Sequence, residues 1–438
     1  MKKKTQPSLL PVVSLVALAA LRSVAQADAT FDSLLAREDL WSLDQDKFQE
    51  ITPDLPFRWT SMAKDSARAA DLKGMTLFGQ PVYEAVMRFD DKKATMLTTN
   101  FYARGDAGEL TEDQYKKLLL TTVEAITKAT GLKHTVRGKD ATSAVKAEGL
   151  IWQTAKSEYL LEYSFTREVK SRGIPFRAEF IRLEVRPAAD KKSSIIAAAI
   201  PGKPQRFTPA AHIKKDPSGD VWIFDVPMVD QGQKGYCVVA SAERVVRYYG
   251  GSVDANELAQ IANTSAEGGT NIKAMSESLK KVAARLKVRV REHEKLDVKT
   301  ILELMKDYNR FAKKAGVGEI PDQGQMLDVA EIYGAMKSDV LKEARNKNKS
   351  DVSRFQRDIQ QHVDQGIPLL WSVQLGFVQE QGLTQQASGG HMRLIIGYNA
   401  KTLEVIYSDS WGAGHEQKRM KLDDAWAITT GLMTIEPT

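Results

Sequence analysis

The chain has 438 residues, of which 42% are hydrophobic and 27% charged, a composition typical of a globular protein with two or three domains. Its formal net charge is +6, but four of its 62 basic residues lie in the first 27, so the other 58 stand against 56 acidic residues. This balance argues against a nucleic-acid partner, because binding to phosphates needs a concentrated basic face.

The first 27 residues predict a Sec-type signal peptide. Lys2, Lys3 and Lys4 precede an apolar run at 9–21, and residues 25–27 read Ala-Gln-Ala, the pattern of a cleavage site. The run is shorter than the roughly 20 residues of a membrane-spanning helix, and no later stretch approaches that length. We therefore expect a secreted or periplasmic protein that keeps no stable membrane anchor after signal cleavage.

Residues 28–200 predict an N-terminal α+β domain. Val82–Phe89 and Ala94–Tyr102 flank a turn-rich segment and have the pattern of a hairpin. A capping box opens a helical pattern over 111–131, and the alternation in 176–186 slips by one residue, which indicates a bulged strand. We expect a helix on an antiparallel sheet; the segment carries no ligand-binding signature, so its role is unknown.

Residues 201–220 contain four prolines and no sustained apolar period, which predicts a linker. A second domain follows over 221–438, beginning with helices and ending with strands. A mostly helical stretch at about 297–350 has the character of an insertion. The predicted strands lie around Pro368–Gln374, Met392–Tyr398 and Leu403–Ser408.

Cys237 is the single cysteine of the chain, so it cannot form an internal disulfide. Apolar residues at 238, 242, 245 and 249 predict an amphipathic helix that ends at Gly250 and places the thiol in its first turn. Unpaired N–H groups and the positive end of the helix dipole favour a thiolate there. The alternative is a small apolar residue buried at the start of a helix.

A nucleophilic thiolate also needs donors for the oxyanion and a base. Gln231 lies six residues before Cys237, across a loop in which Gly232 and Gly235 allow tight turning. We expect its side-chain amide and the Cys237 N–H to point at the same oxyanion.

His391 is the best candidate for the base among six histidines. It follows two glycines at the start of a strand whose hairpin partner holds Asp409. If the turn closes at 399–402, paired residue numbers sum to about 801, which sets His391 opposite Ser410 and beside Asp409. Asp409 would then orient the imidazole and support its protonated form. His415, in a predicted loop, is the rival base.

These segments resemble a known superfamily. QGQKGYC (231–237) resembles the papain-like cysteine peptidase signature, SDSWG (408–412) resembles its N-S-W-G segment, and GGHMRLIIGYN (389–399) is most similar to the double-glycine-leader, bacteriocin-processing branch. The resemblance implies an α+β papain-like domain, with a nucleophile helix packed on an antiparallel sheet. It makes Cys237 the nucleophile, His391 the general base and acid, Asp409 the orienting acid and Gln231 the oxyanion donor.

The same resemblance implies that Trp411 covers the hydrogen bond between His391 and Asp409. We expect Trp411, Gly235 and Gly390 to line the substrate cleft. No aromatic residue follows Cys237 here, and the chain has no fused transporter. These departures concern the identity of the substrate more than the chemistry.

Together, these features predict a secreted cysteine peptidase that hydrolyses peptide bonds through a Cys-His-Asp triad and a thioester acyl-enzyme. One alternative is transglutaminase-like acyl transfer, which uses the same residue types in the same order. The other is an inactive peptidase-like protein that binds peptides or cell-wall material. We expect a peptide or protein substrate, no organic cofactor and no metal. The N-terminal domain either binds an unknown partner or covers the active site as a pro-segment.

Overall fold

The structure, a computed structural model, describes residues 30–70, 74–137, 145–188, 207–232, 235–251, 253–262, 272–322, 324, 327–380 and 387–438. The predicted signal peptide and residues 201–206 of the predicted linker lie outside these ranges. Among the described helices, none combines the length and the apolar character that crossing a membrane requires.

The N-terminal unit is an eight-stranded antiparallel sheet in the order β1-β2-β5-β6-β10-β9-β8-β7, with β3 and β4 forming a separate small hairpin. Its strands are β1 (Arg58–Trp59), β2 (Ser66–Ala70), β3 (Thr76–Leu77), β4 (Gln80–Pro81), β5 (Glu84–Asp90), β6 (Lys93–Ala103), β7 (Thr135–Val136), β8 (Glu148–Gln153), β9 (Ser157–Thr166) and β10 (Arg177–Pro187). Its helices are α1 (Asp32–Ala36), α2 (Gln45–Ile51), α3 (Arg104–Ala107) and α4 (Glu112–Thr130), with short 3-10 turns at Leu40–Ser42 and Lys170–Arg172.

The local predictions for this unit are confirmed. β5 and β6 form the expected hairpin, and β10 shifts register against both of its neighbours, as the slipped alternation indicates. The capping box at Thr111 and Gln114 opens α4, and Gly131 ends it with φ +69°, in the left-handed region that favours glycine. Tyr115 and Ile126 of α4 are buried in the core on the sheet.

The second unit is an antiparallel sheet in the order β11-β12-β15-β14-β18-β13, with β16 paired to β15 and β17 paired to β16. Its strands are β11 (Ile213–Lys215), β12 (Asp220–Ile223), β13 (Val288–Glu294), β14 (Leu369–Leu375), β15 (Gly389–Asn399), β16 (Glu404–Ser408), β17 (Lys418–Lys421) and β18 (Thr429–Pro437). Its helices are α5 (Cys237–Tyr248), α6 (Ala255–Ala262), α7 (Ile272–Leu286), α8 (Val298–Ala315), α9 (Val329–Ala335), α10 (Ser338–Asn346), α11 (Lys349–Val363) and α12 (Leu422–Ile428), with a 3-10 turn at Pro209–His212.

Helix α5 packs on the central strand β15, and this contact positions the functional site. Its apolar face includes Val239, Ala242 and Val245, which are fully buried in one cluster with Met392 and Leu394 of β15. Burying a side chain such as valine or leucine contributes about 1.5–3 kcal/mol each. The helix that begins at the cysteine is therefore held firmly on the strand that carries the histidine.

The predicted linker is shorter than the sequence indicates. Ile213–Lys215 pairs with β12, and β12 pairs with β15, so residues 213–220 belong to the second sheet. Two of the four prolines that suggested a linker lie in described residues and have local roles: Pro209 begins a 3-10 turn, and Pro217 precedes the Ser218-Gly219 turn between β11 and β12.

The stretch predicted as a helical insertion at 297–350 contains α8, α9 and α10. These helices bury an apolar cluster of their own, which includes Ile301, Tyr308 and Leu341.

The two units of the protein also meet directly. Arg182 of β10 lies 2.6 Å from Glu162 of its own unit and 2.8 Å from Glu257 of α6, and it also contacts Asp254.

Candidate active site

Cys237 is the first residue of α5 and is partly buried. Burial alone would raise the pKa of its thiol, but a hydrogen bond and charge from His391, with backbone N–H groups of Met392 and Val238, hold that pKa below its usual value. The thiolate is therefore stabilised by an imidazolium and by fixed donors, the environment of a reactive cysteine.

His391 of β15 is 7% exposed and lies against both the thiol and an acid. Its Nε2 is 2.9 Å from Oδ1 of Asp409, which leaves Nδ1 for the side of Cys237. Burial disfavours the charged ring, yet the bonds to Asp409 and Cys237 more than offset this and raise the pKa of His391. The raised imidazole pKa and the lowered thiol pKa both favour the thiolate–imidazolium pair.

Asp409 reaches His391 through a hairpin register that differs slightly from the prediction. Leu394 pairs with Ser408 and Asn399 with Glu404, so paired numbers sum to 802 or 803 rather than 801. The sum is 803 next to the turn, and a bulge between Ile395 and Gly397 lowers it to 802 beyond that point. The ladder ends at Ser408, and the next residue, Asp409, turns its carboxylate to the histidine.

Two cations that the sequence analysis missed also bind Asp409. Arg393 Nε lies 2.8 Å from Oδ1 and Lys418 Nζ lies 2.9 Å from Oδ2. Burial would raise the pKa of Asp409, but the bond to His391 and these positive charges hold it far below the ordinary range. Arg393 follows His391 by two residues, so the period of a strand could have indicated it. Lys418 comes from β17 and had no such signal.

Arg244 is a further missed residue, and it ties the helix to the acid. Its guanidinium donates to the carbonyl oxygens of Asp409 at 3.0 Å and Pro227 at 2.8 Å and to Ser408 Oγ at 2.6 Å. It lies seven residues after Cys237 on the same helix, so helical spacing placed it on the same face. Its side chain fixes the segment that carries Asp409 against α5.

Gln231 is held by the segment that follows Asp409. Its backbone N–H donates to the Ser410 carbonyl at 2.9 Å, and Ser410 Oγ donates to its side-chain oxygen at 2.6 Å. This pairing fixes the orientation of the amide, with the NH₂ end turned away from Ser410.

Trp411 stacks on the ring of His391, with centroids 4.6 Å apart and planes at 24°. The tryptophan therefore covers the imidazole of His391, and its shielding of the hydrogen bond to Asp409 stays a prediction.

The two glycines expected to line the cleft each precede a residue of the site. Gly235 precedes Cys237 by two residues, and Gly390 directly precedes His391 at the exposed start of β15. A side chain at Gly390 would meet no atom within 4 Å, so packing does not explain this glycine. The binding of substrate at Gly235, Gly390 and Trp411 stays a prediction.

His415, the rival base, occupies a different position. Its ring meets the edge of Trp411, with centroids 5.5 Å apart. Burial and the charge of Lys418 lower the pKa of its imidazole. Trp411 contacts both histidine rings, and His391 is the one that also bonds Cys237 and Asp409.

Comparison with known proteins identifies the region that carries this site. The chain is similar to the solved structure of xylellain, a cysteine protease from Xylella fastidiosa, at 12% sequence identity and a TM-score of 0.26, over 54% of this chain and 91% of that chain. No curated protein matches. Residues 223–433 match the model of the Peptidase_C39 like family and include Cys237, His391 and Asp409. This region is similar to the Peptidase_C39 like family, and the protein is a cysteine-type peptidase with a papain-like α+β fold.

Proposed function

We propose that the protein hydrolyses peptide bonds through a triad of Cys237, His391 and Asp409. The observation that carries the proposal is the continuous contact from the thiol through the buried imidazole to a carboxylate 2.9 Å from it. The thiolate attacks the scissile carbonyl carbon, and His391 gives its proton to the leaving amine. Water then attacks the thioester carbonyl, with His391 now accepting a proton, and releases the acid product.

Gln231 fits the role of an oxyanion donor in this scheme. Its side-chain oxygen accepts from Ser410 at 2.6 Å, so the amide presents its NH₂ end as the donor. A donor fixed before the reaction stabilises the developing negative charge without reorganising, and such a donor typically contributes a factor of about 10²–10³ to kcat.

A peptide mixture tests the hydrolytic function. Incubation with the protein should yield new amino and carboxyl termini that mass spectrometry detects, and Cys237→Ala should abolish them. Turnover that survives in Cys237→Ala would contradict the proposal. A primary amine added to the same reaction separates hydrolysis from acyl transfer, because products carrying the amine in place of water would favour transglutaminase-like chemistry.

We further propose that the N-terminal unit forms one wall of the cleft. Its Met62 N–H donates to Glu416 at 2.6 Å, and its Arg68 lies 3.6 Å from Asp230, next to Gln231. A cavity of about 90 Å³ lies between the units and is lined by Arg68 and Gln231 among others. The loops that hold Gln231 and Trp411 therefore both contact this unit.

Cutting the chain between the units tests whether the N-terminal unit is a wall or a removable cover. A specific protease site inserted within 189–206 allows the cut, and size-exclusion chromatography shows whether the halves separate. We expect the halves to stay together and peptide hydrolysis to stay unchanged. Separation accompanied by a rise in activity would instead identify a pro-segment.

The sequence pattern of the first 27 residues supports export of the protein from the cytoplasm. Expression of the full chain in bacteria should give a periplasmic or secreted product whose N-terminal sequence begins after Ala27. A cytoplasmic product that retains Met1 would contradict this proposal.

A further inference from the structure

Three potential metal ligands meet at the edge of the second sheet, away from the active site. They are His293 of β13, His362 of α11 and Glu436 of β18. One ligand atom from each lies within 4.8 Å of the other two, and the two imidazole centroids are 4.6 Å apart. In the sheet order, β13 is three strands from β15, which carries His391.

The hydrogen bonds of His362 leave one nitrogen in need of a positive partner. Its Nδ1 lies 2.7 Å from the Asp358 carbonyl oxygen, which can only accept, so Nδ1 carries a proton. In the neutral ring Nε2 then presents a lone pair, and it lies 3.9 Å from Oε1 of Glu436. A lone pair facing a carboxylate is unfavourable unless a proton or a cation lies between them.

The carboxylate of Glu436 is already oriented for such a cation. Thr434 Oγ1 donates to its Oε1 at 2.8 Å and also lies 3.1 Å from Nε2 of His293. Arg291 lies 3.4 Å from the other oxygen, Oε2. Both ends of the carboxylate thus have fixed partners, and Oε1 is the end that faces the histidines.

Metal-binding histidines commonly donate their second N–H to a backbone carbonyl, which sets the tautomer and aims the ring. The contact from His362 to Asp358 has this form. Two imidazoles and a carboxylate match the ligand types of zinc, which binds each at about 2.0–2.2 Å. Tetrahedral ligands at that range stand about 3.4 Å apart, so small side-chain rotations would complete the site.

We propose that His293, His362 and Glu436 bind a divalent transition metal ion, with zinc as the best fit. The ion would join the strands β13 and β18 to helix α11 behind the catalytic sheet. The proposal departs from the expectation of no metal, which the sequence supported because the three ligands are 69 and 74 residues apart and form no motif. It is independent of the proposed catalytic function.

Zinc titration of the purified, untagged, chelator-treated protein tests this site. The Cys237→Ala background removes the thiol, which is the strongest zinc ligand of the active site. Calorimetry with Zn²⁺ should give one ion per chain, and Glu436→Gln and His293→Gln should each weaken binding at least 10-fold. His134→Gln is the matched control, because His134 is exposed in the N-terminal unit, and it should leave binding unchanged.

Two results would overturn the proposal: no binding at Zn²⁺ concentrations up to about 1 mM, or equal affinity in the site variants and the control. Circular dichroism of each chelated variant identifies any loss of fold. If a variant unfolds, Co²⁺ substitution in the Cys237→Ala protein decides the matter. Proton NMR of the Co²⁺-bound protein should then show hyperfine-shifted imidazole N–H signals, and their absence would refute the site.

Discussion

His391→Ala should raise the pKa of Cys237 and slow its alkylation at acidic pH. In the intact site, burial raises the thiol pKa, while His391 lowers it through a hydrogen bond and its charge. The substitution removes both stabilising contributions and keeps most of the burial. The backbone donors Met392 and Val238 stay in place, so part of the depression should persist.

The size of the effect follows from two opposing terms. An opposite charge in contact shifts a pKa by about 1–3 units, each worth about 1.4 kcal/mol. A shift of about two units reduces the thiolate fraction about 100-fold at any pH below both pKa values. The more basic thiolate is also more nucleophilic, by about 10-fold for a Brønsted slope near 0.5. Alkylation should therefore slow about 10-fold at low pH, and the order of the rates should reverse well above both pKa values.

Iodoacetamide alkylation between pH 4 and 10 measures this effect without a known substrate. Cys237 is the single cysteine, so all labelling reports one group. His415→Ala is the matched control, because His415 touches Trp411 and is the other histidine near the site. An unchanged profile in His391→Ala, or an equal shift in His415→Ala, would refute the assignment of His391.

Three further outcomes follow from the structure. Gln231→Ala should lower kcat for peptide hydrolysis by about 10²–10³ with little change in alkylation rate, and a loss confined to KM would argue against an oxyanion role. Arg182→Met should destabilise the fold by about 3–5 kcal/mol, because it removes the guanidinium from the buried carboxylate of Glu257. Arg186→Met, whose side chain is 41% exposed, should change stability by less than about 0.5 kcal/mol, and calorimetry at pH 7 compares the two variants. Gly105→Ala should displace Tyr236, whose hydroxyl oxygen would lie 2.0 Å from the new Cβ, and a variant with wild-type alkylation and melting temperature would show that this contact is not required.

The destabilisation caused by Arg182→Met should become smaller as pH falls. Burial raises the pKa of Glu257 even with Arg182 present. Without the arginine this pKa should rise further. As pH falls, the carboxyl then becomes protonated, and a neutral carboxyl costs less to bury than a charged one. In the intact protein, arginines hold the pKa of Glu162 below its usual value, and that stabilisation is lost as pH falls through the folded-state pKa. Both effects narrow the difference in unfolding free energy between the two proteins as pH falls.

The parts of the site predicted from sequence are those carried by local patterns. Helical spacing after Cys237 fixed the position of the thiol, and a single short turn brought Asp409 beside His391. In both cases residues close in the chain determine the geometry. The hairpin prediction tolerated a register error because the acid lies just beyond the end of the ladder, where the chain can turn its carboxylate.

The parts that were missed depend on the choice of distant partners. Lys418 reaches Asp409 only because β17 pairs with β16, and Arg244 reaches it only because α5 packs on β15. Residues 213–215 were assigned to the linker because a three-residue edge strand has no measurable period. The strand becomes evident only from its pairing with β12, which the linear sequence does not encode in any repeated pattern.

The contacts of Arg182 limit how freely the two halves of this peptidase can evolve apart. One half supplies the guanidinium, and the other supplies Glu257 and Asp254. If either half were exchanged for that of a relative, a buried charge would lose its partner unless the other half carried the matching residue. Recombination within such proteins should therefore favour breakpoints that keep Arg182 together with Glu257 and Asp254. Engineered chimaeras should likewise take all three residues from the same parent.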